Sequence, residues 1–125
     1  QASALDLPTP RQGARRVWTD SRGVLWVSEW NAGQVARYDP RSGEWQEWKL
    51  PSSAQPQAYA VWVDEQDNVW LSDWGAPALV RFNPASETFD AFALPAHADV
   101  REIQGRPNEV WAAESGLDRL VVLRH

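Results

Sequence analysis

Apolar and polar residues alternate along this chain in short runs separated by turn residues, the pattern of half-buried antiparallel strands. Residues 15–20, 24–30, 34–39 and 44–50 read as four strands, a to d in chain order. Ser21-Arg22-Gly23, Asn31-Ala32-Gly33 and Pro40-Arg41-Ser42-Gly43 supply the turns between them. A second set follows at 58–64, 68–74, 78–83 and 88–94. A third, at 100–105, 109–114 and 119–124, stops after strand c.

The sets are copies of one another. Trp26-Val27-Ser28-Glu29-Trp30 returns 44 residues later as Trp70-Leu71-Ser72-Asp73-Trp74, and again after 41 more as Trp111-Ala112-Ala113-Glu114-Ser115. The longer interval also links Trp18 to Trp62, Asp20 to Asp64, Arg37 to Arg81 and Pro40 to Pro84. A period in the low forties, with four short strands per copy, marks a β-propeller blade. The expected fold is all-β, three four-stranded antiparallel blades.

The strand absent from the third copy has a counterpart at the other terminus. Leu5-Asp6-Leu7-Pro8 matches the strand-d endings Trp48-Lys49-Leu50-Pro51 and Phe92-Ala93-Leu94-Pro95. Residues 1–8 are therefore expected to close the last blade as its outer strand. Blade 1 then occupies 9–52, blade 2 occupies 53–96, and strands a to c of blade 3 occupy 97–125. Propellers close with about four to eight blades, so three make no ring. The reading is a partial propeller, completed by the missing half of a larger ring or by a homo-oligomer, two chains giving six blades. The absence of methionine points the same way, to a processed product or an excised piece.

Composition narrows the function classes. Nine tryptophans recur at repeat positions and read chiefly as packing between blades. A net charge of −5 with no basic stripe argues against nucleic acid. No apolar run is long enough for a membrane helix, and no signal peptide is visible. Without cysteine there is no disulfide, zinc–thiolate site or thiol nucleophile, and the compartment stays open.

The run WVSEWNAGQVARYDP at 26–40 resembles the blade repeat of the virginiamycin B lyase (streptogramin lyase) family, as does VWLSDWGAPALVRFNP at 69–84. The closing GRPNEVWAAESG at 105–116 is similar to the C-terminal blade of such proteins. The resemblance covers nearly the whole chain and matches the second half of seven-bladed relatives, which are bacterial and in part exported. It implies a carbon–oxygen lyase that opens a cyclic depsipeptide lactone by elimination, with a histidine base, a magnesium ion and an acidic residue. The family's histidines sit in Pro-His-Gly-Ile at the start of strand a. Those positions hold Arg15, Tyr59 and Val100 or Arg101 here, so the chain departs from the pattern. His97, in a loop, is a weak substitute base against the reading of a solvated side chain.

Three equivalent acids end strand b: Glu29, Asp73 and Glu114. They either edge a common funnel and hold a hard cation such as magnesium through oxygen, or pair with loops and arginines. The resemblance singles out Glu114. Arg15, Arg16, Arg101 and Tyr59 lie at or near strand-a starts, beside Trp30 and Trp74 at the ends of strand b. They either grip a polar or anionic ligand or serve as inter-blade ion pairs and packing. Three functions follow as expectations: a non-catalytic ligand-binding propeller module, a lyase completed by a partner chain, and a purely structural self-assembling piece.

Overall fold

A computed structural model describes residues 1–125 and contains eleven strands and no helix. The first sheet is β1 (Ala14–Thr19), β2 (Leu25–Glu29), β3 (Gln34–Asp39) and β4 (Glu44–Lys49). The second is β5 (Ala58–Val63), β6 (Val69–Asp73), β7 (Ala78–Asn83) and β8 (Thr88–Ala93). The third is β9 (Val100–Arg106), β10 (Glu109–Glu114) and β11 (Arg119–Arg124). Each boundary falls within one residue of the strand expected from alternation. Within a sheet, neighbours in sequence are neighbours in space and all pairs are antiparallel. The three sheets are blades of a partial propeller, stacked through their first strands, β1 on β5 and β5 on β9.

Local chemistry explains the repeat. Asp20 accepts hydrogen bonds from the turn amides of Arg22 and Val24 and from Trp26 Nε1, and Asp64 does the same for Gln66, Asn68 and Trp70 Nε1. One carboxylate thus shapes the turn from strand a to strand b and satisfies the indole of a core tryptophan. The turn position after it needs a left-handed residue. Blade 1 uses Gly23 at φ 80°, blade 2 uses Asp67 at φ 59°.

The serine of the Trp-x-Ser motif joins blades. Ser28 Oγ accepts from Arg16 N at 3.0 Å, inside the β1 bulge, and donates to Tyr59 O of the next blade at 2.6 Å. Ser72 accepts from Ala60 N at 2.9 Å and donates to Val100 O at 2.8 Å. Between the sheets lie two apolar layers. Val24, Trp26, Val35, Leu50, Val61 and Phe82 build the first; Trp62, Trp70, Leu79, Ile103 and Val110 are in the second. A fully buried side chain of this size contributes about 2–3 kcal/mol, so these layers hold the blades in register.

Within a single chain the expected closing strand is not paired with β11. The third sheet has three strands, and residues 1–13 form none. Residues 9–13 lie along blade 1, where Thr9 Oγ1 donates to Glu47 Oε1 at 2.7 Å and the carbonyls of Gln12 and Gly13 accept from Asn31 N and Trp30 N, while residues 1–6 are exposed. The reason is the arc itself. Blade 2 stands between blades 1 and 3, which places the N-terminus and the free edge of β11 at opposite ends.

Candidate functional site

Strand a starts where strand b ends, because the two are antiparallel neighbours. Their termini from all three blades therefore share one rim of the arc. On that rim Trp30, Tyr59 and Trp74 form a closed aromatic trio. Trp30 and Trp74 meet edge to face at 5.4 Å, Trp30 and Tyr59 at 5.6 Å, and Tyr59 stacks on Trp74 at 5.3 Å. The Trp74 indole is fixed by donating to Val100 O at 2.8 Å.

Three guanidinium groups lie against this trio. Arg15 sits 4.9 Å from the Trp30 ring and 5.5 Å from Tyr59, Arg16 5.2 Å from Tyr59, and Arg101 5.5 Å from Trp74. None of the three forms an ion pair with a carboxylate; the paired arginines are Arg41, Arg81, Arg106, Arg119 and Arg124. In a chain of net negative charge these cations keep their donors free. Stacking on aromatic faces holds each guanidinium in place without using its edge, which is where a planar anion binds. Beside the trio opens a cleft of about 450 Å³, lined by Trp30, Asn31, Lys49, Gln55, Gln57 and Trp74 among others.

All five side chains expected to bind ligand, Arg15, Trp30, Tyr59, Trp74 and Arg101, thus meet in one cluster. The cleft's polar lining was not anticipated. Lys49 follows from register alone, since Glu29 pairs with Gln34 and Gln34 with Lys49.

The three strand-b acids each turn to local partners instead. Asp73 accepts from Ser52 Oγ, Ser53 Oγ, Gln57 N and Gly75 N at 2.6–2.9 Å, and so clamps the loop that leads into β5. Glu114 is buried and receives Arg119 Nε at 2.7 Å. Glu29 is buried without a cation. Burial first, then the neighbouring Glu47 carboxyl, pushes its pKa up to about 8, against a hydrogen bond from Gln34. Glu29 Oε2 and Glu47 Oε2 have no other hydrogen-bond partner, so a proton shared between the two carboxyls satisfies both.

No group of three acidic or histidine side chains in the structure is arranged to hold a metal ion. Glu29, Asp73 and Glu114 do not converge on one point: Asp73 is taken up by four donors, and Glu114 receives Arg119 on one oxygen while its other, Oε2, is buried without a hydrogen-bond partner. His97 lies in an exposed turn at φ 65° and makes no hydrogen bond or ion pair. His125 packs on Trp70 at 5.4 Å.

No protein-family profile and no curated protein sequence matches the chain. Solved structures do. A catalytically inactive His-to-Ala variant of virginiamycin B lyase from Staphylococcus aureus, with quinupristin, superposes at TM-score 0.79 and 17% identity over 96% of this chain. Selenomethionine-substituted virginiamycin B lyase from the same organism gives 0.78 at 19% identity, and a streptogramin B lyase gives 0.75 at 19%. The fold is that of the lyase propellers. The chain spans 44% of the length of the Staphylococcus enzyme.

Proposed function

We propose that this chain is a non-catalytic segment of a lyase-like propeller that binds a planar organic anion on the rim formed by Arg15, Arg16, Tyr59, Trp30, Trp74 and Arg101. The observation that carries the reading is the set of three guanidinium groups seated on aromatic rings with no carboxylate partner. Rings hold the cations, and the cations keep their hydrogen-bonding edges unpaired beside the cleft that Trp30 and Trp74 line. A carboxylate or sulfonate attached to a flat ring matches both features, by charge-assisted hydrogen bonds and by stacking.

The test is a titration of 1-naphthoate against 1-naphthamide, read by quenching of tryptophan fluorescence. Naphthoate should bind and the neutral amide should bind about tenfold more weakly or not at all. Arg101→Ala and Arg15→Ala should each weaken naphthoate about tenfold, the size of one charge-assisted hydrogen bond. Equal binding of acid and amide, or arginine variants that bind like the parent, would refute the reading.

The fold likeness favours a second reading, a lyase completed by a partner chain. That partner would supply the histidine base that the strand-a starts at Arg15, Tyr59 and Val100 lack, and the ligands of any metal. Magnesium-dependent opening of a depsipeptide lactone by the complex, absent with this chain alone, is its test.

A further inference from the structure

Four large apolar side chains are exposed: Leu5, Val17, Trp18 and Leu120. Leu5 belongs to the N-terminal segment at one end of the arc, and Leu120 to β11 at the other. Repeat geometry relates them. In blade 1 Leu50 N donates to Gly33 O, and in blade 2 Leu94 N donates to Pro77 O, each sealing the fourth strand against the third. The repeat equivalent of these acceptors in blade 3 is Asp118, and the equivalent of Leu50 and Leu94 is Leu7. Counting onward in the register of β7 with β8, where Ala78 faces Ala93 and Leu79 faces Phe92, sets Asp6 opposite Arg119 and Leu5 opposite Leu120. Ala4 then faces Val121.

That alignment answers three separate features of β11 at once. Its outer backbone edge lacks the strand that β3 and β7 both have. Its one large exposed apolar side chain, Leu120 at 66% exposure, receives Leu5, itself 55% exposed. Arg119, which uses Nε for Glu114 and remains half-exposed, receives an acid. Aliphatic against aliphatic and acid against base are the favourable cross-strand pairs. Within one chain the pairing cannot form, because blade 2 holds the two ends apart.

We propose that residues 1–7 of one chain add as the fourth strand to β11 of a second copy, so that two three-blade arcs close head to tail into a six-blade ring. The contact is heterologous and repeats twice around a two-fold axis, leaving no open sheet end. The exposed β1 face, with Val17, then lies where a preceding blade packs, as Val61 of β5 lies against blade 1.

The experiment uses the full chain, which has no cysteine of its own. Ala4 and Val121 would form a pair of the kind without mutual backbone hydrogen bonds, with Cα atoms about 4.5 Å apart, near enough for a disulfide. Chains carrying Ala4→Cys are mixed with chains carrying Val121→Cys and oxidised. A covalent mixed dimer is expected on a non-reducing gel. The pairing of Ala4→Cys with Arg41→Cys, in a turn of blade 1, should give none.

Light scattering should show twice the 14.1 kDa chain mass. Leu120→Asp should raise the dimer dissociation constant about 30-fold or more with the monomer still folded, since Leu120 touches no core. Asp6→Lys should raise it about threefold. A monomer at all concentrations would overturn the proposal and leave the β11 edge to a different chain. So would a dimer that gives no Ala4–Val121 cross-link, or one indifferent to Leu120→Asp.

Discussion

Val61 in the middle blade is 5% exposed, while Val17, its repeat counterpart in the first blade, is 56% exposed. Leu79 in the middle blade is fully buried, whereas its counterpart Leu120 in the third is 66% exposed. The residue types and strand positions are the same in each pair. What differs is whether a neighbouring sheet covers them. A blade's own sequence provides two apolar faces but no means of burying either, so stability in this arc is concentrated at the two joints on either side of blade 2.

The third blade's outer face also departs from the repeat. Gln104 stands where blade 2 has Trp62, and Ala113 where blades 1 and 2 have the joining serines Ser28 and Ser72. Any sheet packed on that face lacks the serine bond to its first strand. A joint there should be looser than the internal ones.

The largest expected effect separates middle from end directly. Trp70 is fully buried between blades 2 and 3 and donates to Asp64 at 2.8 Å. Trp70→Ala should cost about 3–5 kcal/mol, from the cavity and from the Asp64 carboxylate left with one donor fewer. Trp111, its half-buried counterpart, should cost about 1–2 kcal/mol on truncation. Urea unfolding of the two variants at a concentration where the parent is monomeric measures both. Equal losses would break the comparison, because burial by a neighbouring blade would then not be the main source of stability.

The strand-b acid gives a second contrast, between blades 1 and 2. Asp73 is surrounded by four donors, so Asp73→Asn, with one accepting oxygen in place of two, should destabilise by about 2–3 kcal/mol. Glu29 has one donor, Gln34, and a second carboxyl. Its folded pKa of about 8 lies above its ordinary 4.5, so the folded state holds a proton that the unfolded chain has already released. The stabilisation is therefore complete below pH 4.5 and declines as pH rises to about 8, by up to about 1.4 kcal/mol per pH unit. Glu29→Gln can donate to Glu47 without needing a proton and should flatten that decline. Urea midpoints at pH 5, 6.5 and 8 report it; a parent chain equally stable at all three would disprove the shared proton.

The strands were legible because each is encoded locally, by alternation and by turn residues such as Gly23 and Gly43. The rim cluster was legible for a related reason. In every repeat the start of strand a adjoins the end of strand b, so Arg15, Tyr59 and Arg101 had to meet Trp30 and Trp74 if the blades stacked. Repeat equivalence was a weaker guide for Glu29, Asp73 and Glu114. Equal positions do not imply a shared site when each carboxyl finds donors close by, and those donors, Ser52, Ser53, Gln57 and Arg119, differ from copy to copy. Glu47 as the partner of Glu29 was not legible, since their approach depends on how the sheet coils. Where residues 1–8 go was not legible either. Their likeness to a fourth strand is in the sequence, but the angle between blades, which puts β11 out of their reach, is not.

The smallest effect concerns the aspartate–tryptophan clamp, which blade 3 keeps in altered form. Arg106 stands where the clamp carboxylate would begin the turn, and Glu109 takes over, accepting from Trp111 Nε1 at 3.2 Å. The Arg106 guanidinium first, then the indole and Arg124, draw the Glu109 pKa down from 4.5 to about 2. A carboxylate held below its ordinary range contributes stability above pH 4.5 and loses it as pH falls through about 2. Glu109 is partly buried, but its partners Arg106 and Arg124 are largely exposed and water screens both pairs, so Glu109→Gln should move the urea midpoint only slightly. The indole N–H resonance of Trp111 is the sensitive readout. It should stay fixed from pH 6 to pH 3, because Glu109 remains ionised across that range, and should shift on Glu109→Gln. A titration step at pH 4.5 would mean that the end blade lacks the clamp its middle counterpart has in Asp64.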